Sequence, residues 1–171
     1  MKRNSLIQEI NKAFFVDRRF NYSEIAFVKT SLPDDAYEGN QVARYFENKS
    51  NSEIEFSSLV LEYPGDFTAC ISFMKPEAAA YFMGAYLYMG VAEEIDGQDI
   101  RFQIMNLLDG SILVNDELKC WFEEMLTFFS KYQLNVLKYF VCYMEQEYEG
   151  DLLIINFEHA KHIFENALDN L

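Results

Sequence analysis

Catalytic vocabulary is what this sequence lacks. Among 171 residues there are two histidines, His159 and His162, and no GxSxG, glycine-rich phosphate loop or cysteine set beside a histidine in a nucleophile pattern. The three cysteines, Cys70, Cys120 and Cys142, stand far apart and form no CxxC, which excludes a structural zinc built on paired cysteines. Odd in number and set among apolar neighbours such as Trp121 and Val141, they read as reduced core thiols of a cytosolic protein. No cofactor is expected.

Positive charge is scarce as well. Lys and Arg number 14 against 28 Asp and Glu, a formal net charge of −14. Residues 1–50 carry eight basic and seven acidic residues, so the acidity belongs to residues 51–171, with six against twenty-one. Such a field repels phosphate backbones and anionic lipid surfaces, which argues against nucleic-acid and membrane partners. It favours encounter with a basic protein surface.

The longest uncharged run, 78–92, is 15 residues, short of the roughly 20 needed to cross a bilayer as a helix. The N-terminal stretch mixes Gln8, Glu9, Asn11 and Lys12 among its apolar residues, so no signal-peptide core can be drawn. The expected compartment is the cytoplasm.

What is present is apolar and aromatic side chain, 50% and 16% of the chain, enough for one sizeable core. The expected fold is mainly α: a single globular domain over 1–171, a helical bundle around a central apolar helix at 76–91. Pro76 suits a first helical turn and Glu77 faces the positive end of the helix dipole. Residues apolar nearly all round such a helix mean that protein surrounds it, and Gly84 and Gly90 permit close approach by neighbours. Helical spacing also marks Leu6, Ile10, Ala13 and Phe14, then Ile100, Ile104, Leu107 and Leu108. Asn115 is placed to cap a helix with Trp121, Phe122, Met125 and Phe129 on its stripe, and Ser130 with Gln133 forms a capping box for the next. A C-terminal helix is predicted from about Phe157. The alternation over 66–73 and the apolar run at 152–156 admit one or two short strands.

Two acidic clusters are candidate contact surfaces. In "YMEQEYEGD", Glu145, Glu147, Glu149 and Asp151 adjoin Tyr148; after the central helix come Glu93, Glu94 and Asp96. Acids with neighbouring tyrosines can receive Arg and Lys while the rings add contact area. The plainer reading is a solvated face. His159 and His162, spaced i and i+3, could share a metal with Glu158 or Glu165, although the spacing is not HExxH.

The segment "GNQVARYFENKSNSEIEFSSLVLEYPGDFTACISFMKPEAAAYFMGAYLYMGV" resembles an uncharacterised bacterial family of small acidic proteins, a domain of unknown function. The resemblance rests on Phe46, Lys49, Glu53, Ile54 and Phe73, on Pro76-Glu77-Ala78 with Tyr81, Phe82, Ala85, Tyr86 and Leu87, and on Phe129, Ser130, Gln133 and Phe140. Gly84 departs from the proline usual there, and Asn51 or Ser52 from a tryptophan. The resemblance implies no catalytic residues; small acidic relatives encoded beside toxins imply an immunity role. The leading expectation is a non-enzymatic protein that masks a basic partner, such as a toxin domain, through its acidic surface. The alternatives are a small hydrolase or metalloenzyme using His159 and His162, and a structural or regulatory subunit of an oligomer.

Overall fold

The computed structural model describes residues 1–29, 31–32, 37–92, 97–111, 113, 115–148, 150 and 154–171. Among these there are ten α-helices and no strand: α1 (Arg3–Phe14), α2 (Tyr22–Ile25), α3 (Glu38–Phe46), α4 (Phe56–Glu62), α5 (Cys70–Phe73), α6 (Pro76–Ala92), α7 (Gln98–Leu108), α8 (Asp116–Thr127), α9 (Lys131–Tyr148) and α10 (Phe157–Asp169). The expected mainly α bundle is the observed one.

Helix α6 is its axis. Thirteen of its 17 residues are buried, which is why it can be apolar on every side: α1, α7 and α8 pack around it, with α2, α5 and the 3-10 turn at Asn51–Glu53 closing the remainder. No helix among the described residues is long and apolar enough to cross a membrane.

Gly84 shows how close the approach is. A Cβ there would stand 2.2 Å from Phe14 Cβ, so only glycine lets α1 lie against α6 at this point. Beside it, Asn51 is 1% exposed and inserts its side-chain amide at the Tyr81–Ala85 step of α6. Its Nδ2 donates to Tyr81 O (2.8 Å) and Phe14 O (3.0 Å), and its Oδ1 accepts from Ala85 N (3.3 Å). One residue in a loop between α3 and α4 thereby ties α1 to α6. At the far end of α6, Arg3 donates to Val91 O and Ala92 O, and Arg101 to Gly90 O, supplying cations where the helix dipole is negative.

The remaining helices follow their apolar stripes. Leu6, Ile10, Ala13 and Phe14 of α1 are buried, as are Leu134, Leu137, Phe140, Val141 and Met144 of α9. Each large side chain so buried contributes about 1.5–3 kcal/mol. The Ser130–Gln133 capping box is formed, Ser130 N donating to Gln133 Oε1 (2.9 Å) and Gln133 N to Ser130 Oγ (3.2 Å).

Three expectations are corrected. Residues 66–73 form no strand: Asp66 Oδ1 accepts from Thr68 N (2.9 Å) and Thr68 Oγ1 (2.7 Å), and this local turn bends the chain into α5. Among the described residues, extended pairing is limited to one antiparallel bridge between Ala26 and Met74. Of 152–156, Leu152 and Leu153 lie outside the described residues, while Ile154 is an exposed turn and Ile155 and Asn156 lead into α10 without pairing. Finally, only Cys70 is a core thiol. Cys120 is exposed and Cys142 half-buried, because each lies off the inward stripe of its helix.

Candidate functional site

Five of the eight predicted contact residues, Glu93, Glu94, Asp96, Glu149 and Asp151, lie outside the described residues. The other three sit at the end of α9, where two are engaged internally. Glu145 accepts from Lys161 Nζ at 3.1 and 3.2 Å, and the same ammonium holds Glu158. The hydrogen bond to Glu158, with Glu145 behind it, pushes the Lys161 pKa up to about 12. Tyr148 lies under the Arg101 guanidinium, 4.4 Å from the ring centroid, and its ring is steeply inclined to that of Tyr143 at 70°. Glu147 alone is exposed and outside these contacts. Glu145 and Tyr148 thus help hold α9 to α10 and α7.

Acids elsewhere are partly neutralised by the basic N-terminal third. Arg18 pairs with Glu77, Arg19 with Glu53 (2.9 Å) and Lys49 with Glu62 (3.9 Å). The largest set of acids on one helix without such a partner among the described residues is on α8. Four acids against one lysine give it a net charge of −3, and Lys119 pairs with Asp116 at 3.6 Å. Glu117, Glu123 and Glu124 are exposed, with no cation in ion-pair range among the described residues. On α10, three acids against one lysine leave −2, and Asp169 has no such partner either. Sequence reading ranked "YMEQEYEGD" higher because it is denser; the signal it passed over was "DELKCWFEEM", whose acids outnumber the lysine able to pair with them.

These two helices wall an apolar trough. Asp116 and Glu117 in the first turn of α8 favour its dipole, and Asn115 Oδ1 caps it by accepting from Leu118 N (2.9 Å). Phe122 and Met125 then bury against the core, and Trp121 Nε1 donates to Met74 O (2.8 Å), so α8 rests on α6. Helix α10 is capped by Asn156, which accepts from His159 N (3.0 Å), and rests on α9 through Phe157, Ala160 and Phe164.

Asp109, 4% exposed, links the chain leading to α8 with the start of α10. Its carboxylate accepts from Ser111 N (2.8 Å) on the way to α8 and from Asn156 N (2.9 Å) at the start of α10. Gly110, at φ +76°, makes the turn that only glycine adopts freely. Because α8 and α10 rest on different helices, a recess of about 670 Å³ is left between them. Leu113, Phe122, Leu126, Ile163 and Ala167 line it, with Leu171, 57% exposed, at its mouth. Lys119, Glu123 and Asn166 form part of the rim.

His159 also faces this recess, with its Nδ1 2.7 Å from Asp109 O. A carbonyl oxygen only accepts, so Nδ1 carries the proton and the ring is fixed as a positioning contact. Among the described residues no group of three His, Cys, Asp or Glu is placed to hold a metal ion.

A second polar cluster lies in the core around Cys70. Burial pushes its thiol up to about 12 and the Tyr45 hydroxyl likewise, and raises the Tyr63 and Tyr86 hydroxyls as well. Tyr86 donates to Phe67 O at 2.8 Å. A thiol so disfavoured as thiolate is no nucleophile. Of the aromatic residues predicted on the stripe of the helix that Asn115 caps, Phe122 and Phe129 are buried and Trp121 is half-buried.

Compared with protein-family models, with curated proteins and with solved structures, the chain has no match. Its class is a mainly α bundle around α6.

Proposed function

We propose that this chain is a non-enzymatic binding protein, an immunity-type inhibitor that masks a basic toxin domain in the cytoplasm. The observation that carries the reading is the set of exposed carboxylates Glu117, Glu123, Glu124 and Asp169, without ion-pair partners among the described residues, on the two helices that wall an apolar recess. A basic surface finds there both the field that speeds encounter and apolar area that retains the complex. Kinship with the uncharacterised acidic family named above is part of the same proposal, and it contributes the link to neighbouring toxins.

The contact surface moves with this reading. Glu145 and Tyr148 belong to internal contacts, so the α8 carboxylates replace them as the principal charges offered to a partner. The test is association with the basic product of an adjacent gene, by size-exclusion chromatography and calorimetry at low and moderate salt. A complex at micromolar concentration or tighter supports the reading. Its absence across both salt conditions overturns it.

A further inference from the structure

Three buried oxygens beside α3 have no hydrogen-bonding partner among the described residues: Glu38 Oε1, Tyr45 Oη and Tyr63 Oη. Native interiors rarely tolerate that. Tyr45 is 8% exposed and Tyr63 5%, so bulk solvent does not serve either hydroxyl in place of a protein group. The neighbouring donors are committed elsewhere, Tyr86 to Phe67 O at 2.8 Å and the Cys70 thiol to Asp66 O at 3.7 Å.

One face of α3 brings the three together. Glu38, Gln41 and Tyr45 recur at i, i+3 and i+7, the spacing that stacks side chains along one side of a helix, and that side meets the bend at 63–65. The Tyr45 and Tyr63 rings stand 5.7 Å apart at 77°, and Tyr63 adjoins both Cys70 and Glu38. Gly65 keeps the space beside the Tyr63 hydroxyl open: a Cβ there would stand 3.1 Å from Tyr63 Oη and 3.0 Å from Gln41 Oε1. The cluster is polar and has room.

Counting donors against acceptors selects the occupant. Two phenol O–H groups need an acceptor, and one carboxylate oxygen needs a donor. A metal cation would answer the carboxylate but strand both phenol hydrogens, and it would approach the Lys49 ammonium, which lies 3.4 Å from the Tyr45 ring centroid. An anion would accept from the phenols but face Glu38. A neutral molecule that both donates and accepts satisfies all three, and water is small enough for the space a missing Cβ leaves.

We propose that an ordered internal water sits between α3 and the bend at 63–65, accepting from Tyr63 Oη and donating to Glu38 Oε1, with the Tyr45 hydroxyl as the further donor of the site. It ties α3 to the segment that leads into α5, much as the Asn51 amide ties α1 to α6. The site needs no partner protein, so its test is separate from that of the binding function.

The test is a high-resolution crystal structure of the full chain, together with water-selective NMR cross-relaxation in solution. Expected are a density peak about 2.5–3.0 Å from both Tyr63 Oη and Glu38 Oε1, and a cross-peak between a long-lived water and the Tyr63 ring protons. Tyr63→Phe removes the donor and should abolish the cross-peak of that water with the ring at 63. Gly65→Ala crowds the site and should weaken the Tyr63 cross-peak or abolish it. Tyr81→Phe, whose lost hydroxyl donates to Val16 O at 2.8 Å, should leave it unchanged.

Tyr63 Oη and Glu38 Oε1 in direct hydrogen-bonding contact, or a dry site between them, overturns the proposal. So does an anomalous peak at the site in crystals soaked with rubidium, since the occupant would then be a cation. A cross-peak that survives Tyr63→Phe, or is indifferent to Gly65→Ala, counts the same way. If Tyr63→Phe fails to fold, the wild-type density and the Gly65→Ala spectrum decide.

Discussion

Replacing Asn51 by Asp should do more damage than replacing it by Ala, and the difference should depend on pH. The side-chain amide of Asn51 donates to Tyr81 O at 2.8 Å and Phe14 O at 3.0 Å and is buried to 1% exposure. Asn51→Ala removes both donors and the acceptor for Ala85 N, a loss of about 2–3 kcal/mol at roughly 1 kcal/mol net for each hydrogen bond. Asn51→Asp keeps the shape but turns a carboxylate oxygen toward two carbonyl oxygens, and an uncompensated buried charge brings the cost to about 3–5 kcal/mol at pH 7. Burial and those carbonyls raise the folded-state pKa of the new carboxyl above its unfolded value of about 3.9. The carboxyl is neutral in both states below that value, where one O–H can still donate. The penalty relative to wild type therefore grows as pH rises through about 4 toward the raised pKa, by at most about 1.4 kcal/mol per pH unit. Urea unfolding at pH 7 and pH 4, followed through the single tryptophan Trp121, measures it. An Asn51→Asp variant within about 1 kcal/mol of wild type at pH 7, or one whose deficit is unchanged at pH 4, would refute the reasoning.

Gly84→Ala should lower stability by about 1–3 kcal/mol or more, since the new Cβ meets Phe14 Cβ and α1 must move. Gly90→Ala, whose Cβ would meet Arg101 Cγ only at 3.4 Å, should be near neutral or slightly stabilising; melting temperatures of the pair compare them. Glu53 is held near pKa 2 by hydrogen bonds from the Ser50 backbone and hydroxyl and by the Arg19 guanidinium. Its contribution to stability is therefore present above the unfolded value and lost as pH falls toward about 2; carboxyl-detected NMR titration should show this midpoint, and Ser50→Ala should raise it. An aromatic disulfide reagent should modify exposed Cys120 at once and half-buried Cys142 more slowly, leaving Cys70, pushed up to about 12 by burial, unreactive until the chain unfolds.

Periodicity made the long helices legible, because a stripe three or four residues apart is a direct record of which side meets the core. Pro76, Asn115, Ser130 and Gln133 further fixed three helix starts through local chemistry. The segment from Asp66 to Phe73 was less legible: four residues cannot establish a 3.6-residue period, and the Asp66 turn that bends the chain looks like ordinary alternation in sequence. Nothing local to "NKSNS" reveals that the Asn51 amide reaches Phe14, Tyr81 and Ala85. The site was legible only as a sign of charge. Which acids stay unpaired depends on which lysine folds beside them, as Lys161 does beside Glu145 and Glu158. The trough itself depends on α8 and α10 resting on different helices, a tertiary fact.

The association rate with the basic partner, measured by stopped flow against ionic strength, tests most directly whether the α8 carboxylates face that partner. Electrostatic steering predicts a wild-type rate that falls steeply as salt is added. Glu117→Lys with Glu124→Lys should slow association at low salt by about tenfold and flatten that dependence. The same pair of charge reversals at Asp17 and Glu55 should matter far less. A wild-type rate indifferent to salt, or equal losses from both pairs of substitutions, would contradict the account.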